Sequence, residues 1–307
     1  MTWIRAVVVL MASAGTAAIV ATGNFRTPSE GEASGGSAET GVSVGVGSLP
    51  PSITPRPSRP PYAESAGIPQ VFGVDRCPPF AANRTVSEIR HSFYFTRGAY
   101  SSDPYSYRGS SWATDYEKAD RQFMIVVERV LPIDAYSCEN PILLDNPSLR
   151  RFPFLYMVEV GYMGMTPPEV EGLRSYLLQG GFLLADDFWG PYEWQNFERE
   201  MRKVFPEHKI VELPMDHLVF RIVYPVSEVL QVPSIGNARA GQYAECSGCV
   251  PHMRGIFDDT GRLMVAIAWN SDLGDAWEWA EQPDYPWDRS NYALQMGMNF
   301  ILYAMTH

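Results

Sequence analysis

One stretch of the chain, residues 180–190, constrains the fold more than any other. It reads Gly-Gly-Phe-Leu-Leu-Ala-Asp-Asp-Phe-Trp-Gly. Its two glycines end a helix, its apolar residues predict a buried strand, and Asp186 and Asp187 follow at the carboxyl end of that strand. In open α/β sheets, ligands bind in the crevice outside the carboxyl ends of the strands. The stretch therefore predicts a central strand and, directly after it, a candidate site.

The segment before this strand completes a β-α-β unit. Residues 154–160 are nearly all apolar, which is typical of a strand buried on both faces. Thr166 and Glu169 have the spacing of a helical capping box, with prolines in the first turn of the helix. Gly180 supplies the left-handed position that ends this helix.

Other segments extend this alternation of strands and helices. Thr114 and Glu117 form a second capping box, which predicts a helix with Ala119, Phe123, Val126 and Val130 on its apolar face. Further strands are predicted at residues 92–100, 133–136, 208–213, 256–257 and 263–269, helices at 194–204 and 291–305, and irregular structure at 225–255. The pattern predicts a three-layer α/β domain with a mostly parallel sheet.

Charge and composition limit the location and the partners of the chain. Its formal charge of −11 opposes binding to nucleic acid, because such binding needs a basic face. Residues 1–25 predict a signal for export to the periplasm or the cell exterior or, if uncleaved, an amino-terminal membrane anchor. Residues 26–67, rich in Pro, Gly and Ser, predict a disordered spacer. Residues 68–307 would then form one α/β domain.

Several motifs in the same order resemble a known bacterial family. They are residues 93–100 (FYFTRGAY), 112–116 (WATDY), 152–157 (FPFLYM), 180–187, 216–220 (DHLVF) and 270–278 (NSDLGDAWE). The pattern is similar to the domain-of-unknown-function family numbered 4159, with Leu218 where the family is expected to have proline. The resemblance covers the chain from about Ser92 to its end. It implies a flavodoxin-like sheet similar to class I glutamine amidotransferases, and no established reaction.

The superfamily that this resemblance implies often carries a nucleophilic cysteine on a tight turn between a strand and a helix. In this chain the matching position is expected within residues 161–164, Gly-Tyr-Met-Gly, which contain neither a thiol nor a hydroxymethyl group. Tyrosine and methionine cannot act as the nucleophile in acyl transfer of this type. Glutaminase activity is therefore not expected.

The acidic residues at the predicted strand ends are the first candidates for a site. Asp186 and Asp187 are adjacent, so their side chains should point in opposite directions, and one of them should enter the crevice. Asp187 is the candidate acid or base, whereas Asp186 would bind ligand, cap a helix or meet a cation. Asp272 and Asp275, with Glu278 nearby, follow the predicted strand 263–269 and should bind ligand at the same edge. The alternative is a solvated acidic loop.

Three other residues are candidates with open alternatives. His217, oriented by its neighbour Asp216, could be the acid–base partner of Asp187, or it could be a structural histidine. Arg97 could bind an anionic group or pair internally with an acid. Trp189, with other tryptophans near the acids, could form a sugar-binding surface or simply pack in the core. Asp115 is interpreted as an acid in the first turn of a helix.

The four cysteines suggest disulfides rather than a metal site. Cys246 and Cys249, followed by His252, resemble part of a zinc site, but a fourth ligand with suitable spacing is missing. In an exported protein they could instead pair with each other, and Cys77 with Cys138. The sequence therefore predicts neither a metal ligand set nor an identifiable cofactor.

These observations support three functional hypotheses. The first is an exported domain that binds a small molecule or a glycan through a crevice lined by Arg97, Asp187, His217 and Asp272. The second is a hydrolase in which carboxylates and His217 act as acid and base, with or without a metal. The third is a structural partner domain of a cell-envelope complex.

Overall fold

The computed structural model describes residues 90–103 and 111–307. The predicted export signal and spacer, and Cys77, lie outside the described residues. The strands are β1 (Thr96–Ala99), β2 (Asn140–Leu143), β3 (Phe154–Val158), β4 (Phe182–Asp186), β5 (Ile210–Glu212), β6 (His252–Phe257) and β7 (Leu263–Trp269). The α-helices are α1 (Lys118–Val130), α2 (Pro167–Leu178), α3 (Gly190–Val204), α4 (Ile235–Arg239), α5 (Leu273–Glu278) and α6 (Trp287–Thr306).

The seven strands form one sheet in the order β2-β1-β3-β4-β7-β6-β5. Strands β2, β1, β3, β4 and β7 pair in parallel, whereas β6 pairs antiparallel with β7 and with β5, the last strand on that side of the sheet. The prediction of a mostly parallel α/β sheet is confirmed. Because β4 and β7 are parallel neighbours, the residues after Asp186 and those after Trp269 emerge at the same end of the strands. We call this end, where the parallel strands finish, the carboxyl edge of the sheet.

The alternation of side chains along β4 shows how the sheet separates two apolar layers. Phe182 and Leu184 pack on the side covered by α1, α5 and α6, and Leu183 and Ala185 pack on the side covered by α2 and α3. On the first side the rings of Phe123 and Trp277 stack with centroids 4.3 Å apart. Asp186 continues the period of two and therefore points toward α5.

The second strand differs from the sequence prediction. Residues 133–136 contribute only an isolated bridge between Phe93 and Ala135, and β2 lies at Asn140–Leu143 instead. Its second residue, Pro141, cannot donate a ladder hydrogen bond and makes this segment a poor strand by sequence pattern. The edge position of β2 removes that objection, because one side of an edge strand needs no partner.

Helix α1 begins later than its capping box predicts. Its N-cap is Glu117 and not Thr114, and its buried face comprises Ala119, Asp120, Phe123, Met124 and Val127. Thr114 uses its carbonyl oxygen to accept a hydrogen bond from Arg97. The turn before the helix therefore holds residues 114–117 against the sheet instead of starting the helix. The capping box of α2, formed by Thr166 and Glu169, is present as predicted.

The region predicted to be irregular, residues 225–255, contains α4 and the first half of β6. The sequence pattern did not reveal β6 because its outer face carries the polar residues His252 and Arg254. Within the described ranges, no helix combines the length and the apolar character needed to cross a membrane.

Candidate functional site

Five carboxylates from three parts of the chain meet at the carboxyl edge of the parallel strands. Asp115 precedes α1, Asp187 follows β4, and the remaining three belong to the N-cap and body of α5 after β7. We call Asp115, Asp187, Asp272, Asp275 and Glu278 the acid cluster. The sequence predicted that the acids after β4 and β7 would share one edge, and the structure brings them together.

Left-handed backbone conformations direct several of these side chains toward one another. Among the described residues, the non-glycine positions with positive φ are Asp115 (60°), Glu159 (54°), Asp187 (53°) and Asn270 (60°). The last three directly follow β3, β4 and β7. Aspartate and asparagine tolerate this left-handed conformation better than most residues. Such strain concentrates at functional sites, and here it turns the chain sharply where the strands end.

Two hydrogen bonds join the loops that follow β4 and β7. The amide of Asp187 donates to the carbonyl of Ser271 over 3.1 Å, and the amide of Asn270 donates to the carbonyl of Phe188 over 3.0 Å. These bonds continue the alignment of the two strands beyond the sheet. The positions of Asp187 and Asp272 are therefore fixed relative to each other.

Asp186 is buried beside the acid cluster but serves the framework. Its Oδ2 accepts from the Tyr156 hydroxyl (2.9 Å) and the Gly274 amide (3.0 Å), and its Oδ1 accepts from the Leu273 amide (3.2 Å). It thus fastens the first turn of α5 to β4, as a carboxylate at a helix N-terminus does. Burial raises the pKa of Asp186 to about 7, although these donors oppose the shift.

Asp187 and Asp272 face each other across the two loops. Asp187 Oδ1 accepts from the Trp189 indole over 3.0 Å, and Asp272 Oδ1 accepts from the Asp275 amide over 2.7 Å as the N-cap of α5. Burial raises the pKa of Asp187 well above its usual range, and the negative charge of Glu245 adds to the effect. For Asp272 burial also comes first, followed by the charge of Asp187.

Asp275 and Glu278 form the other side of the cluster. Asp275 accepts from the Ile235 amide (2.5 Å) and from the Trp279 indole (2.8 Å). Burial raises the pKa of Asp275 despite these donors. Glu278 is less deeply buried, and burial followed by the charge of Asp275 raises its pKa to about 7. Glu278 therefore resists full ionisation near neutral pH unless a cation compensates it.

Asp115 is the member of the cluster with an unmet hydrogen-bonding requirement. Its Oδ2 atom is shielded from solvent and has no hydrogen-bond partner. A Cβ atom added at Gly274 would lie 3.0 Å from this oxygen and 3.5 Å from Asp272 Oδ1, so both oxygens lie over the same glycine. Burial raises the pKa of Asp115 well above its usual range, and the charges of Asp275 and Glu278 raise it further. A buried acceptor without a donor requires an explanation, and an ion is one.

The cluster has dimensions that suit a divalent cation. One carboxylate oxygen from each of Asp115, Asp187 and Asp272 lies within 4.8 Å of the other two. The same holds for the set Asp115, Asp275 and Glu278. Oxygen ligands lie about 2.1 to 2.5 Å from Mg²⁺ or Ca²⁺, so two ligands of one ion are at most about 5 Å apart. The sequence left a cation at the paired acids as an open alternative and named no metal ligands, and each of these sets fits a metal site by its donor type and spacing.

Arg97 does not line the crevice. Its guanidinium is 0% exposed, and it pairs with Asp120 at 2.5 Å while donating to the carbonyl oxygens of Trp112 and Thr114. Burial lowers the pKa of Arg97, but Asp120 more than compensates and raises it beyond its ordinary value. The ligand-binding role is therefore wrong, and the internal pair is confirmed. By holding the carbonyl of Thr114, Arg97 positions the neighbouring Asp115.

The tryptophans near the acids do not form an open platform. Trp189 is 7% exposed and donates its indole N–H to Asp187. Trp277 is fully buried, and the ring of Trp279 is covered by the Lys118 ammonium at 3.4 Å. Trp189 therefore offers no open ring face to a sugar, whereas Trp287 is 77% exposed. The indoles of the first three act as neutral donors to the acids and as packing groups.

His217 lies at the opposite end of the parallel strands from the acid cluster, near the start of β7. Its ring contacts Phe257 and Tyr303, and Phe257 pairs with Leu263 at the start of β7. Asp187 is level with Trp269, at the other end of β7. At about 3.3 Å per residue, the two ends of β7 are roughly 20 Å apart, and so are His217 and Asp187. Partial burial lowers the pKa of His217, and its Nδ1 accepts from the Val219 amide. His217 therefore cannot cooperate with Asp187, and the sequence-based pair is wrong.

A disulfide-bonded loop flanks the cluster. Cys246 and Cys249 are paired, which excludes them as zinc ligands, and His252 instead binds Glu212 and stacks on Trp269. Cys138 is also disulfide-bonded. Glu245, next to Cys246, is exposed, but its charge reaches Asp187.

Asp115 and Tyr156 are the site residues that sequence reasoning missed. Asp115 was assigned to the first turn of a helix, whereas its left-handed backbone and the later start of α1 direct it to the crevice. The motif Trp-Ala-Thr-Asp-Tyr contained a usable signal, because it follows β1 and so reaches the same edge as the other acids. Tyr156 was hidden within the apolar run of β3.

Comparison with known proteins places the chain in a family. The model of a family described as Domain of unknown function (DUF4159) matches residues 104–305, which include every member of the acid cluster. Residues 92–103, which the resemblance had included, precede the match. A search of curated proteins gave no match. Since the family model covers more than half of its length, the chain belongs to the DUF4159 family.

Proposed function

We propose that this domain binds a divalent, oxygen-preferring cation such as Mg²⁺, Mn²⁺ or Ca²⁺ at the acid cluster, and presents it to a ligand at the carboxyl edge of the sheet. The observation that carries the proposal is the shielded Oδ2 atom of Asp115, which has no partner and lies beside Asp272. Its set with Asp187 and Asp272 has the spacing of an ion's ligands. Carboxylates are the preferred protein ligands of these ions.

The electrostatics of the cluster support the same proposal. Taking a carboxylate out of water is costly unless it is paired or coordinates a metal. Among the described residues, no Arg or Lys lies within ion-pair distance of the acid cluster. Lys118 is the nearest basic influence on Glu278, but it pairs with Glu281 at 3.2 Å and covers Trp279. A bound divalent cation would supply the missing positive charge.

The fold supports a binding site at this edge. The parallel strands follow the order 2-1-3-4-5 when numbered along the chain, which is the flavodoxin-like order. This supports the flavodoxin-like placement and its implied kinship with class I glutamine amidotransferases. The left-handed residue that directly follows β3 is Glu159, two residues before the stretch expected from sequence. A glutamate there offers no thiol, so we do not propose glutaminase activity.

An exported location belongs to the same proposal. The Cys246–Cys249 disulfide and the disulfide-bonded Cys138 fit an oxidising compartment. The predicted export signal in residues 1–25 would deliver the chain there. Divalent cations at millimolar concentration are common outside the cytoplasm, so a site of modest affinity would suffice.

Thermal unfolding of the purified full-length chain tests the proposal. At pH 7.5, millimolar Mg²⁺, Mn²⁺ or Ca²⁺ should raise Tm, because an ion that binds only the folded state stabilises it by about 2.7 kcal/mol at 100 times its Kd. Asp187→Asn, which tolerates the same left-handed backbone, should show a clearly smaller rise. Asp216→Asn, an exposed acid at the opposite edge, is the matched control and should keep it. Equal responses in all three proteins, or none in the wild type, would refute the site.

A further inference from the structure

Asp115 belongs to both of the carboxylate sets that fit a cation. One set joins it to Asp187 and Asp272, and the other joins it to Asp275 and Glu278. The remaining members of the two sets do not overlap. The acid cluster is therefore two half-sites that share a single carboxylate.

The carboxyl group of Asp115 contributes to both half-sites. Oδ2 lies over Gly274 beside Asp272 Oδ1 and has no hydrogen-bond partner. The carboxyl group of Asp115 also has an oxygen within 4.8 Å of one carboxylate oxygen of Asp275 and one of Glu278. A carboxylate that is shared by two ligand sets has the disposition of a bridge between two ions.

The charge of the cluster favours two ions over one. The two sets together comprise five carboxylates. One divalent ion would leave three negative charges uncompensated in a shielded region, whereas two ions would leave one.

The geometry points to a pair of divalent cations bridged by Asp115, the first held by Asp187 and Asp272 and the second by Asp275 and Glu278. This rests on the proposed function and specifies its stoichiometry. With three carboxylates each, both ions keep positions for water or for the oxygens of a ligand, as in two-metal sites where the ions are about 3.5 to 4 Å apart. The ligand that fits such a pair is an oxyanion with one oxygen on each ion.

Mn²⁺ is the probe that distinguishes one ion from two. Titration of the full-length chain, followed by calorimetry and by electron paramagnetic resonance, should give two bound Mn²⁺ per chain. The spectrum at full occupancy should show the broadening of spin-coupled neighbours. Glu278→Gln should bind one Mn²⁺ with the uncoupled six-line spectrum, and Asp187→Asn should do the same through the other half-site. Glu281→Gln, an exposed glutamate just after α5, should still bind two.

The possible results separate this inference from the proposed function. One uncoupled Mn²⁺ in the wild-type chain, unchanged by Glu278→Gln and lost in Asp187→Asn, would overturn the pair and leave the single site. No bound Mn²⁺ in any protein would overturn both. The wild-type stoichiometry and spectrum decide the question even if a variant fails to fold.

Discussion

Two groups of charged residues lie on the same side of the sheet, and the acids in them are balanced in different ways. In the first, Arg97 pairs with Asp120 and Arg121 pairs with Glu139, so each acid has a guanidinium partner. In the second, the acid cluster, the donors are neutral: backbone amides and the indoles of tryptophan. Asp115 and Asp120 are only five positions apart in the chain, yet they belong to different groups.

The difference separates a structural use of buried charge from a binding use. An acid that only holds the fold together can be neutralised within the chain, as Asp120 is by Arg97. The acid cluster gathers more negative charge and leaves one shielded oxygen without a donor. A chain maintains such an imbalance where a positive partner arrives from solution. The following predictions test this contrast, beginning with the largest effect.

The pH dependence of stability should reveal the raised pKa values of the buried acids in and beside the acid cluster. In metal-free protein, the free energy of unfolding should fall as pH rises from 5 to 8. The pKa of Asp186 is about 7 in the folded chain and about 3.9 in the unfolded chain, so the folded state binds more protons between these values. Its contribution is complete below about pH 4 and is lost as pH rises through 7, with Asp186 alone accounting for roughly 3 kcal/mol of the fall.

Urea unfolding at several pH values, with chelator and with millimolar Ca²⁺, measures this effect. The cation should reduce the fall, because it stabilises the ionised cluster. Stability that rises steadily from pH 5 to 8 in metal-free protein would contradict the assignment of raised pKa values.

Removing the balancing charge of the first group should be costly. Arg97→Met leaves Asp120 buried without a partner, which typically costs about 3 kcal/mol or more. It also frees the carbonyl of Thr114 and with it the position of Asp115, so cation affinity should fall as well. Chemical unfolding together with Mn²⁺ titration tests both. Unchanged cation affinity in a folded Arg97→Met protein would show that Arg97 does not position Asp115.

Removing one charge from the acid cluster should have the opposite effect, an increase in the free energy of unfolding. Asp115→Asn relieves repulsion from Asp275 and Glu278, so metal-free protein at pH 8 should gain about 1 to 2 kcal/mol. The stabilisation by cations should largely disappear. Thermal unfolding with and without Ca²⁺ measures both, and Asp284→Asn, which only breaks an exposed pair with Arg239, is the control. A loss of metal-free stability in Asp115→Asn would indicate a structural role.

The smallest effect is expected for a substitution of His217, at the other end of the parallel strands. His217→Asn keeps an acceptor near the Val219 amide, so stability should change by less than about 0.5 kcal/mol. Cation affinity should not change, because His217 is remote from the cluster. A several-fold change in Mn²⁺ affinity, measured by calorimetry, would return His217 to the site.

Much of the fold could be predicted because its central elements follow simple periodic patterns. The apolar runs of β3, β4 and β7 and the capping box at Thr166 identify the parallel core directly. The edge elements were harder. Strand β2 contains Pro141, and β6 carries polar groups on its outer face, so tertiary pairing rather than local preference determines them.

The site was predicted in part because strand ends point to it. Asp187, Asp272 and Asp275 follow from the parallel order of β4 and β7. Asp115 depended on a left-handed turn that local rules read as helix capping. The error at His217 has a different cause, since a neighbouring acid in sequence says nothing about which edge of the sheet a loop reaches.

Anomalous diffraction from a crystal of the full-length chain equilibrated with Mn²⁺ tests the central claim most directly. The account predicts a peak about 2.2 Å from Asp115 Oδ2, in contact with the carboxylates of Asp187 and Asp272. The absence of a peak in the acid cluster, with Asp115 Oδ2 bonded instead to a protonated neighbouring acid, would contradict it.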